Sequence, residues 1–193
     1  MHAGARFFAI FGTGVMTNGA ARGQAGDGPM ALALAEARAA AARGEVPVGA
    51  VLLGPDGTIL ARAGNQVEAG HDAAAHAEML VMRAAARILG SPRLTGCTLV
   101  VTLEPCPMCA AASVHFRVGR IVFGAYDPKG GGVEHGPRLL ARPDCLHRPE
   151  WVGGVREREA AALLRDFFAA LRGRPEGGPP EGDGKGDLRE ASS

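Results

Sequence analysis

Two short stretches concentrate side chains able to do chemistry: His76-Ala77-Glu78 and Pro105-Cys106-Pro107-Met108-Cys109. Each falls at the start of a segment that reads as a helix. Cysteines three apart at a helix N-terminus aim both sulfurs at one point, and the free N–H groups and positive dipole end there favour thiolate over thiol. Soft thiolates plus an imidazole are a donor set that zinc selects, and a third ligand from a second helix leaves the fourth tetrahedral position open. Glu78 stands two residues beyond His76, near enough to reach a water at such a centre without ligating the metal. Zinc lowers the pKa of water toward ~7, and a nearby carboxylate can accept that proton and return it.

Taken singly, these signals have plainer readings. A Cys-x-x-Cys also serves redox and structural zinc sites, and a Glu in a first helical turn complements the dipole. Together they discriminate. A structural zinc needs four protein ligands, and the chain holds no second Cys-x-x-Cys; a redox pair leaves the His-x-Glu unexplained. Cys97 and Cys145 stand apart and read as small buried or surface residues. The combination fits an open catalytic zinc held by His76, Cys106 and Cys109, with Glu78 carrying protons.

The segments that must position these residues alternate in type. Residues 30–43 have strong helix composition, stopped by Gly44. Apolar runs at 48–53 and 58–62 flank Gly54-Pro55-Asp56-Gly57 and read as a hairpin. Residues 76–89 are apolar at helical spacing and end at Gly90. A buried-type strand at 97–103 precedes a short helix at 107–115 that opens on proline, and a further strand is predicted at 120–124. A helical turn at 139–142, another strand and a final amphipathic helix at 155–171 complete the order. This alternation predicts an α/β domain, a three-layer α/β/α sandwich around a mixed five-stranded sheet.

The chain is 193 residues long, the length of one domain with extensions, and its 47% hydrophobic content rules out wholesale disorder. No apolar stretch approaches the ~20 residues of a membrane span, so no membrane partner is expected. Four cysteines are too few for a disulfide scaffold. The formal charge of +1 conceals a gradient: residues 116–175 carry +4 and residues 176–193 carry −3. Such a basic stretch reads either as a surface for an anionic partner or as scattered solvated arginines. Residues 1–29 read as a disordered extension or a start placed too early, with Met16 or Met30 as the true beginning; their apolar run is broken by Gly12 and Gly14, which argues against a signal peptide. The expected domain is 30–172, followed by a disordered polar tail at 173–193.

His-x-Glu followed by Pro-Cys-x-x-Cys resembles the signature of the zinc-dependent nucleobase deaminases. The likeness extends to Glu45-Val46-Pro47-Val48-Gly49-Ala50-Val51, Gly64-Asn65, Val101-Thr102-Leu103-Glu104-Pro105, Gly119-Arg120-Ile121-Val122-Phe123-Gly124-Ala125 and Asp127-Pro128-Lys129. These motifs are similar to the bacterial tRNA-specific adenosine deaminases of the cytidine-deaminase-like superfamily, and the likeness spans about residues 30–172.

The resemblance implies zinc, one ion per subunit, on His76, Cys106 and Cys109, with Glu78 as proton shuttle in the hydrolysis of adenosine to inosine at wobble position 34 of tRNA. It implies that Asn65 contacts the nucleoside, that Pro47, Val48 and Leu103 wall the base, and that backbone around Ala77 and Glu104 meets polar groups of the substrate. It places Asp127 near the target sugar. It further implies a cytoplasmic homodimer acting on the tRNA anticodon loop, with the small residues Ala110, Ala111, Ala112 and Ser113 suited to a close helix interface. The loop Gly130-Gly131-Gly132-Val133-Glu134-His135-Gly136 departs from the pattern by lacking a serine that many relatives carry there, and His71 and His147 read as structural or surface residues. Two rival readings stand: a deaminase of a free base or nucleoside (cytosine, cytidine or guanine), and a non-catalytic deaminase-fold subunit that binds RNA.

Overall fold

A computed structural model describes residues 28–173. All but the first residue of the expected tail and all but the last two residues of the expected N-terminal extension lie outside these. Five strands form one sheet: β1 (Gly49–Leu53), β2 (Ile59–Gly64), β3 (Thr98–Leu103), β4 (Arg120–Ala125) and β5 (Glu150–Val152), in the order β2-β1-β3-β4-β5. β1 pairs antiparallel with β2 and β3, whereas β3–β4 and β4–β5 are parallel, so the sheet is mixed as expected. The helices are α1 (Pro29–Ala42), α2 (Val67–Gly70), α3 (Ala77–Ile88), α4 (Pro107–His115) and α5 (Glu157–Arg172), with a 3-10 turn at Leu139–Ala141.

The layers follow from strand periodicity, since alternate side chains leave opposite faces of a strand. On one face Ala50, Leu52, Leu99, Val101 and Ile121 pack with Val81, Met82 and Ala85 of α3 and Ala110 of α4. On the other, Val51 and Val100 pack with Met30, Ala33 and Leu34 of α1 and Ala160 of α5. The expected three-layer sandwich is therefore the observed one. The hairpin turn also forms as its residues require: Asp56 Oδ1 accepts the Thr58 N–H at 3.1 Å, and Gly57 adopts φ +80°.

Close approach of α1 to the sheet depends on glycine. A Cβ at Gly49 would strike the Ala33 carbonyl, and one at Gly64 would lie 2.6 Å from the Glu36 carbonyl oxygen. Backbone atoms of a packed helix cannot move aside as a flexible side chain would. Gly49→Val is therefore expected to lower stability by about 3 kcal/mol or more despite the good strand propensity of valine, read as a fall in the urea midpoint. A midpoint unchanged within error would show that α1 has room to retreat.

The structure adds one element the sequence pattern does not signal. The four-residue α2 has its first N–H groups satisfied from a distance: the buried Glu45 carboxylate accepts Glu68 N–H at 3.2 Å and Ala69 N–H at 2.9 Å. Local propensity carries no trace of a cap supplied 23 residues away. Element ends also shift by one or two residues, β2 running to Gly64 and α5 starting at Glu157. Among the described residues, no helix is long and apolar enough to cross a membrane.

Candidate active site

Two helix starts converge at one end of the sheet. His76 is the residue before α3 and Cys106 the residue before α4; both have extended backbone angles and neither uses its side chain as a cap. Both side chains are thus free to face the gap between the helices. Pro107 occupies the first position of α4, where its missing N–H removes nothing, and Cys109 follows in the first turn.

The His76 Nδ1 atom lies 3.6 Å from Cys106 Sγ and 3.6 Å from Cys109 Sγ, and the donor atoms all fall within 4.8 Å of one another. Zinc bonds of ~2.0–2.1 Å to nitrogen and ~2.3 Å to sulfur, set at a tetrahedral angle, separate N and S by about 3.6 Å. The triad has the spacing of a tetrahedral zinc face. Among the described residues it is also the one grouping of three or more His, Cys, Asp or Glu side chains able to hold a metal ion.

The protonation chemistry agrees. A hydrogen bond from the Cys109 thiol, assisted by His76 and opposed by burial, draws the Cys106 thiol down to about 4. The neighbouring Cys106 sulfur and burial push Cys109 the other way. Two adjacent thiolates repel unless a cation lies between them, so this pair holds its second proton until one arrives. The donor set and its geometry fit zinc.

Glu78 lies in the first turn of α3, is 3% exposed, and has an Oε2 atom without a hydrogen-bond partner. Burial pushes its carboxyl up to about 7. A buried carboxyl oxygen that is left unsatisfied and titrates near neutrality suits a group that takes and returns protons.

Beside these residues opens a cavity of about 640 Å³. Val48, Asn65, Leu103, Glu104 and Asp127 border it together with His76, Glu78 and Cys106, as the sequence reading expects. Pro47 and Ala77 are buried and do not border it; Val46 does. The Ala77 N–H is donated at 3.0 Å to Asn65 Oδ1, which ties the end of β2 to the start of α3 and fixes the asparagine in the wall. Asp127 uses Oδ1 to accept the Lys129 and Gly130 N–H groups at 3.1 and 2.9 Å, so its side chain also shapes its own turn. Cys97 is fully buried in the core, and Cys145 donates to the His147 carbonyl.

The pattern of the final helix does not announce a role in this wall. Phe167, Phe168 and Leu171 of α5 border the cavity, with Phe168 42% exposed, although their spacing reads as a core-facing stripe. Glu104 holds a second surprise. Its side chain binds the loop after β4, accepting N–H groups of Asp127, Val133, Glu134 and His135 at 2.9–3.2 Å and the His135 ring at 2.8 Å.

Burial alone raises the Glu104 carboxyl, but these donors outweigh it and hold it below its ordinary value. A group with a depressed folded-state pKa contributes stability above its unfolded-state value, and the contribution is lost as pH falls through the folded one. Between about pH 5 and pH 3 the melting temperature of the wild type should accordingly fall more steeply than that of Glu104→Gln, as calorimetry would record. Parallel slopes would remove this carboxylate from the acid response.

Comparison with known proteins agrees with this geometry. Residues 27–125 match the cytidine and deoxycytidylate deaminase zinc-binding region. The chain is 51% identical over 143 residues to the tRNA-specific adenosine deaminase of Agrobacterium fabrum, covering 74% of this chain and 93% of that protein. A solved structure from work on A-to-I editing by tRNA:A34 deaminases superposes with a TM-score of 0.69 at 51% identity, covering 70% of this chain and 98% of that one. The guanine deaminase of Nitrosomonas europaea is more distant, at 28% identity and a TM-score of 0.59 over 73% of this chain and 83% of that one. The chain belongs to the zinc-binding cytidine and deoxycytidylate deaminase family, in its tRNA-specific adenosine deaminase branch.

Proposed function

We propose that this protein hydrolyses adenosine to inosine at wobble position 34 of tRNA, in a zinc-loaded catalytic domain spanning about residues 30–172. The observation that carries the reading is the pairing of a tetrahedral donor triad with the orphaned Glu78 carboxyl on the floor of an open cavity. The 51% identity to a tRNA-specific adenosine deaminase, over nearly all of that relative, supports the choice of substrate.

His76, Cys106 and Cys109 hold the zinc, whose contribution when bound is Lewis acidity that makes water a nucleophile near neutral pH. Glu78 removes a proton from the attacking water and delivers one to N1 of the adenine as the bond to C6 forms. It then takes the second water proton from the new C6 hydroxyl and passes it to the departing amine as the C6–N bond breaks, so that adenosine and water become inosine and ammonia. Val48 and Leu103 wall the base, Asn65 holds the nucleoside from the fixed position its bond to Ala77 gives it, and Asp127 meets the sugar. An adenosine splayed from an RNA loop can enter such a cavity, and the basic stretch at 116–175 offers Arg and Lys side chains to the flanking phosphates. The working form is a cytoplasmic homodimer, with the small-residue helix α4 near the subunit contact.

The test is incubation of the zinc-loaded protein with total tRNA, followed by sequencing for adenosine read as guanosine at the first anticodon position. Free guanine and cytosine are assayed in parallel for ammonia. Inosine at position 34 with no turnover of free bases supports the reading. Ammonia from guanine alone would move the chain to the free-base class that its likeness to the Nitrosomonas europaea enzyme represents.

A further inference from the structure

The loop from Tyr126 to Gly136 contains no helix or strand, yet its backbone is tied down at many points. Glu104 is the centre of this arrangement. Its side chain is wholly buried; Oε1 accepts the N–H groups of Val133, Glu134 and His135, and Oε2 accepts the Asp127 N–H. His135 Nδ1 lies 2.8 Å from Oε2, and against an ionised carboxylate that nitrogen is the donor. Five donors exhaust the roughly four lone-pair directions of a carboxylate, so Glu104 retains no capacity to touch a substrate.

The fit is close. A Cβ at Gly131 would lie 2.5 Å from Glu104 Cδ, and Gly132 donates its N–H to the Pro105 carbonyl at 2.8 Å. Among the five donors only His135 contributes a side chain. Its ring also packs edge-on against Tyr126, with centroids 5.8 Å apart, so it joins the far end of the loop to the residue just before Asp127. Asp127 and Gly130, which this arrangement holds in place, border the catalytic cavity.

We propose that Glu104 and His135 are positioning residues for substrate binding: their contact locks the loop 126–136 so that Asp127 and Gly130 present a fixed wall to the nucleoside. This rests on the assignment of the cavity as the nucleoside site made above. Fixing a loop residue carries an entropic penalty, and a loop ordered before the substrate arrives does not impose that penalty on binding. The groups that act on the ring and the proton sit on α3 and α4, so loosening this loop weakens binding and spares the chemical step.

The half-exposed His135 is the residue to change, because its loss leaves the core intact. In the zinc-loaded His135→Ala protein, hydrogen exchange should accelerate at the amides of Asp127 and Val133 to His135, with α3 and α4 unchanged. KM for tRNA should rise about tenfold, the worth of one hydrogen bond to a charged group, while kcat stays within about twofold and zinc content is unaltered. His135→Asn, whose amide N–H can occupy the place of Nδ1–H, should restore slow exchange and most of the KM. Unchanged loop exchange in His135→Ala would overturn the proposal. So would a loosened loop with unchanged KM, a joint fall of kcat and zinc content, or an asparagine variant that behaves as alanine. Should the wild type release no inosine from tRNA, the functional reading fails, and the exchange comparison still judges the lock on its own.

Discussion

Glu78→Gln should yield a folded, zinc-loaded protein whose deamination rate is about 10²- to 10⁴-fold below the wild type. Glutamine keeps the shape of the side chain and its place in the first turn of α3, so the change isolates proton transfer. In the metal-free chain burial raises the wild-type carboxyl to about 7, so this side chain can hold a proton as well as release one. Rates from inosine formation, zinc from metal analysis and fold from circular dichroism together decide the matter. A variant keeping more than about a tenth of wild-type kcat would assign the proton to another group.

The same residue gives a stability signature of opposite sign in the metal-free protein. Below about pH 4 the Glu78 carboxyl is protonated whether the chain is folded or not, and it contributes nothing. As pH rises toward about 7 the unfolded chain ionises while the buried group stays protonated, so folding weakens. Chelated Glu78→Gln is therefore expected to melt above chelated wild type near pH 8 and to match it near pH 4. A function kept at the expense of stability is the pattern expected of a buried catalytic acid.

The second large effect is loss of the metal. Removing zinc with a chelator, or replacing Cys109 by serine, should abolish deamination and lower the melting temperature by about 10 °C, since a ligand bound far above its Kd contributes a few kcal/mol. Cys109 is fully buried and Cys106 is drawn down to about 4, so without a cation the site holds a crowded pair of sulfurs against a desolvated carboxyl. Added zinc should restore the chelated wild type and leave Cys109→Ser inactive. Full activity in the chelated protein would remove the metal from the reaction altogether.

The chemistry-bearing residues were legible because their geometry is local. Two helix starts, each with a ligand just before the first turn, specify where the His76 and Cys106 side chains point, and three-residue spacing brings Cys109 beside Cys106. The hairpin turn at Gly57 and the proline opening of α4 were readable for the same reason. Other features were not. Phe167 and Phe168 carry the same apolar spacing whether they face a core or a cavity, and the place of α5 against the sheet decides between them. Glu104 was read through its backbone, whereas its side chain binds a loop up to 31 residues away. The four-residue α2 exists through a cap supplied by Glu45.

By itself, then, the amino-acid sequence determined the donor set, the carboxyl proposed to carry protons beside it and the alternation of elements, because helix starts, turns and strand periodicity act over a few residues. Tertiary structure alone decided the strand order, with β1 between β2 and β3, the convergence of α3 and α4 to within 3.6 Å at their donor atoms, and the wall that α5 and the Glu104-bound loop build around the cavity. Those relations join residues tens of positions apart, and they are set by which buried faces and polar groups satisfy one another once the chain is compact.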